Sequence, residues 1–282
     1  MKKRYLVQGL GFALLGLIAL VVVVPILWVV GEIVWRGVGA ISWEFLTTAP
    51  HEGMKAGGIF PAIVGTMLLT LGTALAAIPV GVGGAIYLAE YARDTWATRL
   101  IRLAIINLAG IPSVVYGLFG LGLFVLFLQF GTSILAGCLT LAIMTLPVII
   151  SAAEEALRAV PVEYRTVSAS LGGTRWQGIY RIVLPQALPG IITGVLLGLL
   201  RAAGETAPIL FTVAAFYLPR LPQSLFDETM ALPYHLYVIS TQVPGMPLQV
   251  QYGTALVLLV LVLSLNVAAT LVRSYFRRRR QW

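Results

Sequence analysis

Between Leu10 and Val30 the chain carries about 21 consecutive residues without a charge, and five more long apolar stretches follow. A helix of about 20 residues, rising ~1.5 Å per residue, matches the hydrocarbon thickness of a bilayer. In lipid every backbone N–H and C=O must be satisfied inside the protein, so runs of this length fold as spanning helices. Composition agrees: 59% of residues are hydrophobic and 11% charged, whereas soluble domains carry roughly a quarter charged. The chain reads as an all-α polytopic membrane protein with six transmembrane helices, near 10–30, 60–89, 103–128, 133–152, 187–215 and 253–272.

The first run exceeds the roughly 7–15 apolar residues of a signal peptide and continues into Gly31-Glu32-Ile33-Val34-Trp35, so it is expected to be a retained helix. Pro79 and Pro112 fall inside spans, where neighbouring groups can resatisfy the freed carbonyls. Fifteen of the nineteen basic residues sit beside the termini and the second and fourth connectors. Arg36, Lys55 and Arg220 lie on the opposite side, and Arg201 lies inside a span. The positive-inside rule then makes both termini cytoplasmic. Arg277 to Arg280 are expected to anchor the last helix against anionic headgroups, and nothing in the pattern supplies a nucleic-acid-binding face.

The external segments are 31–59 and 216–252. Five prolines interrupt the second, in which Ala231 to Gln242 is expected to form a short interfacial helix with Tyr234 and Tyr237 at headgroup level. His51 and His235 lack the partners of a metal site and read as surface residues. Cys138 reads as a small buried hydrophobe.

Glu163 to Pro189 is a polar island between two apolar runs. Pro161 suits the first turn of a helix from Val162 to Leu171, which Gly172 and Gly173 end. Thr174 then caps a second helix, Arg175 to Val183, that Pro185 is expected to stop. In it Trp176, Ile179, Tyr180 and Val183 share one side. Two helices about a Gly-Gly elbow make a knob that a partner's groove can grip.

The fifth span holds Arg201 and Glu205, spaced i, i+4, with Arg201 roughly 18 Å in from Pro189 at ~1.5 Å per residue. A mid-membrane Arg costs at least about 2.5–3.5 kcal/mol, and pairing softens that cost. Its planar fork suits an oxyanion. The pair reads either as a structural salt bridge or as a pathway cation balanced by Glu205. Pro208 is expected to free the carbonyl of Gly204 beside it.

Gly172, nine residues, Ile182, one residue, Leu184, Pro185 resembles the EAA loop of ABC-importer permeases. Thr166, Val167 and Ser168 occupy the E-A-A positions, so the acidic residue is absent there and Glu163 stands one turn earlier. The stretch from Arg201 through Gly204-Glu205-Thr206-Ala207-Pro208 to Thr212 is similar to the signature of the phosphate-importer permease subunits of the PstA family. So are the blocks Gly57 to Thr66 and Ala109 to Gly120.

The resemblance implies a type I ABC-importer (MetI-like) transmembrane domain over 59–273, with a cytoplasmic coupling loop at 156–186. An N-terminal helix and external connector precede it at 1–58, and a basic cytoplasmic tail follows at 274–282. It implies substrate-pathway roles for Arg201, Glu205 and Thr206. ATPase coupling would fall to Glu163, Thr166, Ser168, Leu171, Gly172, Gly173, Trp176, Ile182, Leu184 and Pro185. The implied partners are a PstC-like sister permease, two copies of a PstB-like ATPase and an external PstS-like phosphate-binding protein.

ATP and Mg would sit on the ATPase and no cofactor on this chain, whose only lysines, Lys2, Lys3 and Lys55, stand in no P-loop. No catalytic or metal-binding cluster is expected. The alternatives are a permease for sulfate or molybdate, the sister phosphate permease, or a stand-alone secondary anion carrier. No second Arg-x3-Glu pattern supports the internal repeat of such a carrier.

Overall fold

The computed structural model describes residues 2–170 and 172–278. Helix α1 spans Lys2–Gly37, and a short α2 (Trp43–Thr47) and a two-stranded hairpin, β1 (Pro50–His51) with β2 (Ala56–Gly57), follow it. Then come α3 (Phe60–Ile86), α4 (Trp96–Ala109), α5 (Ser113–Gly120), α6 (Ile134–Arg158), α7 (Val162–Ser170) and α8 (Arg175–Gly178). The chain continues through α9 (Leu184–Gly204), α10 (Ala207–Thr212), α11 (Leu232–Thr241) and α12 (Leu248–Arg278). Helix starts follow local chemistry: the hydroxyls of Ser42, Thr95, Ser133 and Thr174 each accept a first-turn N–H.

Among the described residues, five helices are long and apolar enough to cross a membrane: Gly11–Ala40, Phe60–Tyr91, Ile134–Arg158, Arg175–Gly204 and Leu248–Ser274. The expected third span, 103–128, is not one rod. α4 and α5 meet at 102° across Gly110 to Pro112. Pro112 has a non-helical backbone at the N-cap of α5, and its ring disfavours helix in the residue before it, Ile111.

The expected fifth span is corrected at both ends. Arg175 to Gly204 is one continuous helical run, and Pro185 does not stop it. A π turn over Ile179–Val183 precedes the proline, in which Leu184 N donates to Ile179 O rather than to the carbonyl four residues back. That widening lets the helix pass a ring that would otherwise strike the carbonyl at i−4. At the far end the helix stops at Gly204, and Glu205 is extended. Pro208 therefore frees no helical carbonyl; it opens the separate α10.

α3, α6 and α9 form the centre. A β-carbon on Gly190 would lie 2.5 Å from Ala156 Cβ, and one on Gly194 would lie 2.4 Å from Ala152 Cβ. The α9 backbone thus lies directly on α6, the close approach that small residues permit between membrane helices. One core cluster gathers Ala77, Ile149, Leu157, Val183 and Ile191 near the ends of α3 and α6. The other gathers Leu69, Leu141, Ile209, Met230, Leu232 and Ile239 at the opposite end.

There the orphan N–H groups of α6 are satisfied from the 213–229 segment and α10: Ser133 N donates to Thr212 O at 2.9 Å, and Ile134 N to Asp227 O at 2.9 Å. α11 also belongs to this core and is not interfacial. Leu232 N donates to Thr66 Oγ1 at 2.8 Å, and Tyr234 is buried while Tyr237 is exposed. His235 is 2% exposed, correcting the surface reading, whereas His51 is exposed.

Candidate functional site

The α7–α8 hairpin begins where α6 ends. α7 closes at Ser170, Gly172 takes φ +73°, and Gly173 N donates to Ser168 O at 3.0 Å. Thr174 then caps α8 in a reciprocal capping box with Gln177. The two arms touch through small groups, since a β-carbon on Gly178 would lie 2.9 Å from Ser168 Oγ. Glu163 and Thr166 are exposed on α7, with Thr166 Oγ1 donating to Glu163 O at 2.8 Å. Leu171 lies outside the described residues.

The expected common face of Trp176, Ile179, Tyr180 and Val183 divides in two. Trp176 and Tyr180 stack at 6.3 Å and are more than half exposed, while Ile179 and Val183 are buried. Ile182, Leu184 and Pro185 are half-buried where the hairpin runs into α9.

Arginines fasten this hairpin to the bundle. Arg165 Nη2 donates to Glu90 Oε1 at 2.8 Å and to Leu157 O at 2.9 Å, so it also covers the C-terminal carbonyls of α6. Arg175 Nη2 donates to the Glu90 carbonyl, and its guanidinium lies 5.1 Å from the centre of the Tyr91 ring. Beside them Glu154 receives both Arg102 Nε at 2.8 Å and Arg158 Nε at 3.0 Å, and Arg102 also donates to Leu88 O.

The membrane pair survives the end of its helix. Arg201 Nε lies 3.3 Å from Glu205 Oε1, with the Arg side chain 40% exposed and the Glu 18%. Glu205 N donates back to Ala202 O, which turns the carboxylate under the guanidinium. Ala202 and Ala203 are buried, while Leu197, Arg201 and Gly204 form an exposed stripe along α9. Arg201 therefore presents a fork to whatever lies beyond this chain's own core. Thr206 is half-buried at the start of α10 and makes no side-chain capping bond.

The profile of the family described as binding-protein-dependent transport system inner membrane component matches residues 81–282. The chain belongs to this family. It is 36% identical to the phosphate transport system permease protein PstA 1 of Mycobacterium tuberculosis, over 93% of this chain and 85% of that one. It is 34% identical to the probable ABC transporter permease protein YqgI of Bacillus subtilis, with 95% of each chain covered. A solved chain of the MetNI methionine ABC transporter, inward facing, matches with a TM-score of 0.61 at 15% identity, over 77% of this chain and 97% of that one. At that identity the likeness speaks for the fold, a type I ABC-importer (MetI-like) membrane domain.

For this inner-membrane component, sequence reasoning singled out the hairpin and the pair but passed over Glu90, Tyr91, Arg102 and Glu154. A signal existed: Glu90 is a lone acid following an otherwise uncharged run from Gly57, and such a residue calls for a named partner.

Proposed function

We propose that the chain is a permease subunit of an ATP-driven importer of inorganic phosphate and supplies half of its translocation pathway. The observation that carries this reading is full-length similarity to proteins named as phosphate transport permeases, 36% identical over 93% of the chain. In this reading Arg201 receives the oxyanion, Glu205 balances the guanidinium between visits, and Thr206 lines the path beside them. A PstC-like sister permease completes the pathway, and a PstS-like binding protein delivers phosphate from outside.

The hairpin takes its push from a PstB-like ATPase, which holds ATP and Mg; this chain binds neither and catalyses nothing. The contact surface is the exposed set of Glu163, Thr166, Gly172 and Trp176 with half-buried Gly173 beside them, with Ser168 as the inner hinge contact and Ile182, Leu184 and Pro185 relaying motion into α9. Both termini are cytoplasmic, a reading supported by the fifteen basic residues on that side.

The test is radiolabelled phosphate uptake at micromolar substrate in a host lacking its own permease subunit, with the cognate partners supplied. Wild type restores uptake, and stably inserted Arg201→Gln does not. Absence of uptake by wild type with those partners present would overturn the phosphate reading.

A further inference from the structure

We infer that Glu90 is the positioning residue that makes the α7–α8 hairpin and the end of α3 move as one body. The inference rests on the coupling role proposed for the hairpin. Both arms of the hairpin hold the same residue: α7 reaches the Glu90 carboxylate through Arg165, and α8 reaches the Glu90 carbonyl through Arg175. The carboxylate is desolvated, its side chain only 7% exposed, so the ion pair acts with little screening.

The backbone around Glu90 is shaped for this grip. Tyr87–Tyr91 is a π turn in which Ala92 N donates to Tyr87 O, and the chain then becomes extended. A carbonyl in the last turn has no helical donor, and the Arg175 guanidinium fills that place while resting on the neighbouring Tyr91 ring.

Apolar packing does not fill this seam completely. A cavity of ≈320 Å³ lies at the same seam, walled by Glu90, Arg165, Ser168, Arg175, Ile179 and Val183. At this seam the two guanidiniums bridge the cavity between the hairpin and the end of α3, beside the apolar cluster that includes Ala85 and Val183. A second link runs from Arg165 to Leu157 O, so α6 shares the joint. A push on the hairpin pulls on α3 through Glu90; without the carboxylate the hairpin can swing into the cavity and leave α3 behind.

The experiment uses the whole transporter, this chain with its sister permease and ATPase, in lipid nanodiscs. Spin labels are placed at Arg93→Cys and Arg181→Cys in a Cys138→Ala background. With Glu90 intact, the distance between them is unchanged between the nucleotide-free and ATP-vanadate states. In Glu90→Gln it shifts and broadens on nucleotide binding.

In parallel, Glu90→Gln retains ATP hydrolysis without binding protein but loses its stimulation by loaded binding protein by about tenfold, within the usual range of coupling between sites. Glu90→Asp restores part of that stimulation. A label distance that changes with Glu90 intact, full stimulation in Glu90→Gln, or a Glu90→Gln chain that no longer co-purifies with the ATPase would each overturn the assignment. The label measurement needs only nucleotide, so it stands or falls separately from the identity of the transported anion.

Discussion

Glu205 lies beyond the end of the helix that carries Arg201, yet its Oε1 is held 3.3 Å from the Arg201 Nε. The pair does not depend on one rigid helical turn. The carboxylate rides on an extended residue, and in the proposed reading it withdraws when an anion takes its place. Neutralising it should strengthen anion binding in the resting state and slow release. Glu205→Gln is expected to lower the apparent KM for phosphate by up to about fivefold, since an ion pair whose guanidinium is 40% exposed is worth roughly 0.2–1 kcal/mol and ~1.4 kcal/mol is tenfold. Maximal uptake should fall in the same variant. Initial-rate measurements decide it; an unchanged KM would assign the pair to architecture.

Gly172 tests the elbow. Its φ of +73° is left-handed, while a β-carbon there would meet nothing within 4 Å. The cost of a side chain is therefore backbone strain alone, about 1–2 kcal/mol. Gly172→Val should insert normally and co-purify with the ATPase less well, with reduced uptake. Gly172→Asn, which tolerates this conformation better, should lie between the two. Pull-down yield and uptake measured side by side will show whether they track the strain.

Gly194 tests the contact between α6 and α9. With Ala152 Cβ 2.4 Å from where a new β-carbon would sit, Gly194→Ala should destabilise the chain by roughly 1–3 kcal/mol, as overpacking does. Adding Ala152→Gly removes the clashing atom and should recover most of the loss. The readout is the thermal midpoint in detergent, where single and double variants must differ.

His235 makes stability depend on acid. Burial lowers its pKa to about 4, and its Nδ1 has no hydrogen-bond partner. The unfolded chain protonates this imidazole near pH 6.5 and the folded one only near 4. Stability is thus fully present above about 6.5 and falls as pH drops toward 4, by roughly 3 kcal/mol at ~1.36 kcal/mol per unit. His235→Gln should flatten the thermal midpoint between pH 7 and pH 5. A slope unchanged by that substitution would place the acid sensitivity elsewhere.

The parts legible from the chain were those written in local chemistry. Thr174, Gly172 and Gly173 specify a capped elbow without tertiary help, and the long apolar runs specify spanning helices. Proline was harder to read. Pro79 sits inside α3, Pro112 marks a 102° bend, and Pro185 is bypassed by a π turn. The ring's missing donor is the same in all three, and what differs is where along its helix each ring falls.

α11 was misplaced because a Pro-bounded apolar helix looks alike at a headgroup boundary and in a core. Thr66, which satisfies its first N–H, lies 166 positions away. Glu90 was missed for a related reason. Its meaning comes from Arg165 and Arg175, 75 and 85 residues later.

α1 stands apart from the central helices. None of the most apolar window of its span is buried within the chain, and its contact with α12 is tight near Gly37, where a β-carbon would lie 2.6 Å from Tyr252 O. Arg36 reinforces that junction from 5.4 Å over the Tyr252 ring. During synthesis α1 is therefore made well before the helix that it docks on and must wait in the bilayer until α12 arrives. A chain cut short before Tyr252 would leave α1 without this contact.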